Sequence, residues 1–145
     1  MTTPRRLLLA APALLLLPSI ARATPAAMAQ ALREFTGGAA VRPGRVALDV
    51  SPLVENGNTV PLSVLVDSPM TEADHVRAIA VFNERNPQPH VITAQFGPRA
   101  GRALLATHIR LATSQTLVAV AAFSDGSFWS DSAQVVVTLA ACLEG

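Results

Sequence analysis

Lysine is absent from this sequence, and all eleven basic residues are arginine. They are spread along the chain without forming a basic block, so a nucleic-acid partner is not expected. Cysteine is scarce as well, because Cys142 is the only one. A disulfide bond within the chain is therefore excluded, and in an exported protein Cys142 is either a free thiol or half of an intermolecular bond.

Apolar runs long enough to cross a membrane are also missing. The best candidate, Leu7–Leu17, has 11 residues, whereas a helix needs about 20 to span a bilayer. This run follows Arg5-Arg6 and precedes Ala21-Arg22-Ala23, an order that is typical of a signal peptide over residues 1–23. The arginine pair favours the twin-arginine export route. We expect a periplasmic protein with no membrane attachment after cleavage.

The predicted mature chain, residues 24–145, has the length of one domain. Loss of the three arginines of the signal peptide changes the formal net charge from +1 to −2. A chain of this length buries roughly two thirds of its unfolded surface and needs no disulfide to fold. We predict a domain over residues 24–139 and a C-terminal arm over residues 140–145.

Helical periodicity is confined to the start of the mature chain. Met28, Leu32 and Phe35 share one face of a predicted short helix, which Gly37 ends. We expect this helix to cover an edge or a face of the domain.

From Arg45 onward, apolar and polar residues alternate as they do in strands. Glu55–Asn58 is a turn signal, and Pro61 in the next strand indicates an edge strand or a strand start. Strand candidates recur about every 10 to 15 residues, which predicts an antiparallel β-sandwich. The alternation assigns four residues of the Pro61 strand to the core: Val60, Leu62, Val64 and Val66.

The last strand follows a tight hairpin predicted at Asp125-Gly126. Val135, Val137 and Leu139 are expected to face the core, and the chain is expected to leave the sandwich near Ala140. Since side chains alternate, one of the two aromatic residues that begin this strand, Phe128 and Trp129, should face outward. The outward residue is either an exposed neighbour of the core or part of an interface with a partner.

Signatures of catalysis are not found. His75, His90 and His108 are not at metal-ligand spacing and are interpreted as surface or strand-edge residues. Phosphate-binding and common hydrolase motifs are missing, and a triad built on Asp74-His75 has little support. We predict neither a catalytic nor a metal site.

Cys142 has the one unusual combination of chemistry and position. It lies near the end of the chain, where little can bury it, and no cation nearby in the sequence favours its thiolate. It therefore suits an attachment point that is activated in a partner's site better than a self-contained nucleophile. The alternative is an incidental terminal cysteine.

The sequence resembles the SoxY family of sulfur-carrier subunits over most of residues 28–145. The resemblance is carried by four segments: ALDVSPLVENGNTVPLSVLVDSPM, AIAVFNERNPQP, HIRLATSQTLVAVAAFSDGSFW and VVVTLAACLEG. It implies an immunoglobulin-like sandwich that forms a heterodimer with a SoxZ-like sandwich. It also implies that Cys142 carries sulfur intermediates of thiosulfate oxidation, which a haem enzyme and a di-manganese hydrolase process, while the carrier itself has no cofactor and no catalytic activity.

The arm differs from that family's Gly-Gly-Cys-Gly-Gly sequence. Here the cysteine is preceded by two alanines, and Leu143 and Glu144 add bulk and negative charge next to the sulfur. One hypothesis is therefore a sulfur carrier, and the alternative is a divergent module that binds a SoxZ-like domain without the standard cycle. The predicted carrier arm consists of Cys142 together with Ala140, Ala141, Leu143, Glu144 and Gly145.

Overall fold

The computed structural model describes residues 22–139. Its helix, α1, is Pro25–Thr36, as the apolar spacing predicts. Thr24 caps it by accepting a hydrogen bond from the N–H of Ala27, and Gly37 ends it in the left-handed conformation at φ +65°. No helix in this part of the chain is long and apolar enough to span a membrane.

Within residues 22–139, nine strands form two sheets that pack face to face. The larger sheet has the order β1-β9-β8-β5-β6, with β3 also paired to β9, and the smaller sheet has the order β2-β4-β7. The predicted immunoglobulin-like sandwich with a short N-terminal helix is confirmed. The strands are β1 Val41–Pro43, β2 Val46–Val50, β3 Leu53–Val54, β4 Val60–Val66, β5 Val76–Asn83, β6 His90–Gln95, β7 Ala103–Ile109, β8 Gln115–Phe123 and β9 Phe128–Val137.

Strand β4 confirms the predicted alternation, and of the two positions predicted from Pro61, an edge strand or a strand start, it shows the second. Its four assigned core residues are all buried. However, β4 is the central strand of the smaller sheet. Pro61 is tolerated because it is the second residue of the strand and pairing with β2 begins only at Leu62, so no ladder partner on that side needs its missing N–H.

The larger sheet is covered on both faces at the point where β9 begins. Phe128 packs beneath α1, edge-on to Phe35 with ring centroids 5.9 Å apart. Trp129 points the other way and packs against the core between the sheets. The expectation that one of these two aromatic residues faces outward is therefore wrong, because the helix covers the second face.

Residues 41–54 cross from the larger sheet to the smaller sheet and back again. Strand β1 pairs in parallel with the start of β9, β2 joins the smaller sheet, and β3 returns to pair in parallel with the end of β9. The last strand is therefore held by β8 on one side and by the N-terminal part of the domain on the other.

The end of the domain differs in one residue from the sequence prediction. Val135 is 1 % exposed and Val137 packs against the core, whereas Leu139 is 62 % exposed. Pairing of β9 in the sheet ends at Val137. Leu139 therefore lies past the strand that was expected to place its side chain in the core.

Candidate functional site

The predicted attachment residue Cys142 lies outside the described residues, as does the rest of the predicted arm, Ala140, Ala141, Leu143, Glu144 and Gly145. The assignment of these six residues stays a prediction. The structure does describe the root of the arm, by which we mean Thr138 and Leu139, and the loops around it. We call this end of the sandwich the arm end, and the end that carries the turn 124–127 the hairpin end.

Backbone hydrogen bonds hold the arm root along one side. The N–H of Thr138 donates to the carbonyl of Val54 at 3.0 Å, and the N–H of Leu139 donates to that of Glu55 at 3.2 Å. The carbonyl of Leu139 accepts from the N–H of Gly57 at 2.9 Å. The backbone thus stays hydrogen-bonded beyond the end of β9, up to the last described residue.

Two further contacts tie the same region to the neighbouring loop 110–114. The carbonyl of Gly57 accepts from the N–H of Leu111 at 2.8 Å, and the hydroxyl of Ser114 accepts from the N–H of Val137 at 2.8 Å. Sequence reasoning missed these anchoring residues, because a serine or glycine in a loop has no pattern that identifies its partner. The ENGN turn was the one available signal.

A network of side-chain amides fixes the loops of the arm end. The Asn86 side-chain oxygen accepts from the N–H of Ala112 and from the Gln115 side chain, each at 2.9 Å. Its amide nitrogen donates to the carbonyl of Arg110 at 2.8 Å. One side chain therefore joins the loop after β5 to the loop before β8. The sequence does not predict this linking function of Asn86.

The histidines do not converge. His90 and His108 are exposed, and the Nδ1 atom of His75 lies 3.0 Å from the carbonyl of Thr71. Asp74 lies 3.9 Å from Arg45, so the weak Asp74-His75 triad is not formed. Residues 22–139 contain no group of three or more His, Cys, Asp or Glu side chains that could hold a metal ion.

Charged and aromatic groups are concentrated at the hairpin end instead. The Arg45 guanidinium lies 3.8 Å from the centroid of the Phe123 ring and donates to the carbonyl of Asp67. The predicted hairpin is confirmed, since the Asp125 carboxylate accepts from the hydroxyl and the N–H of Ser127 at 2.6 and 2.8 Å. These two hydrogen bonds, together with the charge of Arg45, lower the pKa of Asp125.

Solved structures with similar folds include a sulfur carrier and several reductases. The sulfur carrier protein SoxY from Chlorobium limicola f thiosulfatophilum is 21 % identical, with a TM-score of 0.68, over 80 % of this chain and 100 % of that chain. The superoxide reductase (neelaredoxin) from Ignicoccus hospitalis is 16 % identical, with a TM-score of 0.58, over 79 % and 94 %. The superoxide reductase from Nanoarchaeum equitans is 11 % identical, with a TM-score of 0.55, over 66 % and 100 %. At these identities the similarity establishes the fold alone.

Sequence comparison is more specific than the fold. A search of curated protein sequences found no significant match. The family described as "Sulfur oxidation protein SoxY" matches residues 32–142, a range that covers the described sandwich from α1 onward and ends at Cys142. The chain therefore belongs to the SoxY family.

Proposed function

We propose that this protein is a non-catalytic sulfur carrier of a periplasmic thiosulfate-oxidising system, and that it holds sulfur intermediates covalently on Cys142. The observation that carries the proposal is the family match, which extends past the last strand to Cys142. The signal peptide and the export route are part of the proposal, since an oxidising system of this type works outside the cytoplasm. A SoxZ-like sandwich is the proposed partner.

The anchored root supports this function in physical terms. A carried group must be presented to several enzymes, so the segment that bears it has to start from a fixed point. Hydrogen bonds to Val54, Glu55 and Gly57 hold the chain up to Leu139. Three residues span at most roughly 10 Å when extended, so an extended arm would allow the proposed carrier thiol to reach beyond the domain.

The proposed chemistry needs partner enzymes for every covalent step. In the first step, the Cys142 thiol and thiosulfate form a sulfur–sulfur bond, the thiol proton is released, and two electrons pass to a haem enzyme. In the second step, water cleaves the terminal sulfonate as sulfate and two protons are released, leaving a persulfide anion on Cys142; a di-manganese hydrolase performs this step. The carrier contributes the thiol and its presentation.

Mass spectrometry of the intact protein tests this proposal directly, because the chain has a single thiol. Incubation with thiosulfate and the haem enzyme should add the mass of one thiosulfate to the wild type and nothing to Cys142→Ser. Absence of an adduct on the wild type, under conditions that load a carrier with a Gly-Gly-Cys-Gly-Gly arm, would contradict the carrier function.

A divergent binding module is the second candidate, and the composition of the arm favours it. Leu143 and Glu144 occupy positions where the family arm has glycine, so a narrow active site could exclude them by bulk and charge. The double variant Leu143→Gly with Glu144→Gly separates the two candidates. Loading of the wild type at a rate similar to the variant supports the carrier, whereas loading of the variant alone supports the module.

A further inference from the structure

The two edge strands of the smaller sheet, β2 and β7, differ in whether their outward-facing backbone groups have hydrogen-bond partners. At the β2 edge, the N–H of Leu48 donates to the Asp131 carboxylate at 2.9 Å, which connects this edge to β9. At the β7 edge, the one hydrogen bond outside the pairing with β4 in residues 22–139 is a long one from the Thr107 hydroxyl to the carbonyl of His108, at 3.5 Å. The outer side of β7 is therefore an unpaired strand edge.

Strand β7 also lacks the features that usually protect such an edge. Its seven residues pair with β4 in continuous register, without a bulge. They include no proline and no Asp, Glu, Lys or Arg, which are the residues that normally prevent pairing with another chain. The neighbouring edge strand β6 does have a protecting bulge, since Val81 pairs with Ile92 while Phe82 pairs with His90. An unprotected edge indicates that a partner covers it.

Apolar side chains lie incompletely buried on the same side of the sandwich. Leu104 of β7 is 41 % exposed, and Leu105 next to it is half-buried. On β6, Val91 and Ile92 also pack against the core while staying partly exposed. A cleft of about 430 Å³ opens between the two strands. A docked strand would cover these side chains and so add apolar burial to its backbone hydrogen bonds.

The charge of this region indicates what kind of strand can dock. Residues 85–124 contain four arginines, two histidines and no acidic residue, and the one acid that the β4–β7 register places across from an end of β7 is Asp67, opposite Arg102. Two of these arginines, Arg102 and Arg110, directly flank β7. Positive charge at both ends of the strand attracts an acidic partner. It also disfavours pairing of β7 with a second copy of itself, because antiparallel pairing would bring the flanking arginines together.

We propose that β7 is the docking strand of this protein, and that it pairs edge to edge with an acidic strand of the partner sandwich. The inference rests on the proposed function for the identity of that partner, a SoxZ-like domain, while the docking edge is assigned from the open strand and its charge. The partner strand is expected to have Asp or Glu next to its ends, facing Arg102 and Arg110.

The test measures binding of the full chain to the SoxZ-like protein of the same organism by titration calorimetry. The double variant Arg102→Glu with Arg110→Glu should raise Kd at least tenfold, and the wild-type Kd should rise with NaCl concentration. The matched control, Arg33→Glu with Arg42→Glu, changes the net charge equally on α1 and β1 and should stay within twofold of the wild type. Circular dichroism verifies that both variants are folded.

Hydrogen exchange of the complex provides a second readout that does not depend on substitution. The amides of residues 103–109 should gain protection on binding, and those of β2 should not. If the wild type binds but Arg102→Glu with Arg110→Glu has no effect and β7 gains no protection, the docking edge is wrong while the proposed function stands. If the wild type does not bind at all, both the partner of the proposed function and this inference fail.

Discussion

The two ends of the sandwich are stabilised by different kinds of interaction. The arm end is held mainly by neutral hydrogen bonds, above all those of Asn86, which join the loop after β5 to Arg110, Ala112 and Gln115. One carboxylate takes part, since Glu84 accepts from the N–H of Thr116. The hairpin end is held by the Arg45 cation over aromatic rings and by the Asp125 carboxylate. Neutral amide networks depend on exact donor and acceptor geometry, whereas the hairpin end depends on charge. The end that presents the arm should therefore be less sensitive to pH and salt.

The largest effect is expected for Asn86→Ala. It removes three hydrogen bonds, of which those with Ala112 and Gln115 are part-buried and that with the Arg110 carbonyl is exposed. A hydrogen bond contributes about 0.5–1.5 kcal/mol, so we expect a loss of about 2–4 kcal/mol in the free energy of unfolding. Urea denaturation measures this loss. Asn86→Asp keeps the accepting oxygen but loses the donated hydrogen bond. Its free energy of unfolding should therefore lie between those of the wild type and Asn86→Ala. If Asn86→Ala were as stable as the wild type, the network would not be what holds the arm end.

At the hairpin end, Arg45→Ala should cost about 1–2 kcal/mol, because it removes the cation from the Phe123 ring. Arg45 has φ +58°, which favours glycine. Arg45→Gly should therefore recover part of the loss, since it relieves the backbone while removing the same side chain. Thermal denaturation of both variants, with substitution of the exposed Arg99 by alanine as the control, measures the difference. Equal stability of the two Arg45 variants would argue against strain at this position.

Ser114→Ala tests the arm root alone. It removes the acceptor of the Val137 N–H at the protein surface, so we expect a global loss of no more than about 1 kcal/mol. The local effect should be larger, with faster hydrogen exchange at Val137 and Thr138 and little change in the centre of β8. Ser63→Ala, a substitution in β4 away from the root, serves as the control. Unchanged exchange at Val137 would mean that the pairing with β3 is sufficient to hold the root.

The smallest expected effect concerns Asp125. Its pKa is lowered chiefly by the Ser127 hydroxyl, so Ser127→Ala should raise that pKa toward its ordinary value, as measured by NMR titration. A group whose pKa is lowered by folding stabilises the folded state above its unfolded pKa, and loses that contribution as the pH falls through the folded value. The hairpin end should therefore weaken only below about pH 4, and the arm end should not change with it. A pKa of Asp125 that did not respond to Ser127→Ala would assign the shift to the backbone N–H of residue 127 and to Arg45 instead.

Local patterns were sufficient to predict the helix, the hairpin and the longer strands, but not the short strands β1 and β3. Alternation identifies the buried side of β4 because successive side chains point to opposite faces, one packed in the core and the other exposed to water. The same reasoning wrongly predicted that Phe128 or Trp129 faces outward, since it assumes a sheet with one solvent-exposed face. The nearly continuous apolar run of β8, LVAVAAF, was the available signal that this sheet is buried on both faces.

Non-local pairings could not be predicted in the same way. Nothing in the sequence of residues 41–54 indicates that β2 joins one sheet while β1 and β3 join the other, because that choice depends on partners about 85 residues away. The anchoring of Leu139 by Glu55 and Gly57 is missed for the same reason. The sequence is sufficient to predict a role for Cys142, which stays a prediction, but it does not identify the loops that hold the root of the arm.

Because residues 41–54 cross from one sheet to the other and back, two of their strands pair with the last strand of the domain, and this determines when the domain can fold. Val41 pairs with Phe128 and Leu53 with Val136, so neither β1 nor β3 has its partner until the last strand has been synthesised. Contacts so distant in sequence slow folding, because the chain must close a long loop before they form. The nascent chain should therefore stay unfolded until β9 is complete, and any truncation before Phe128 should yield no folded domain. Translation through the final strand, and with it the start of the arm, is the event that commits this protein to its native state.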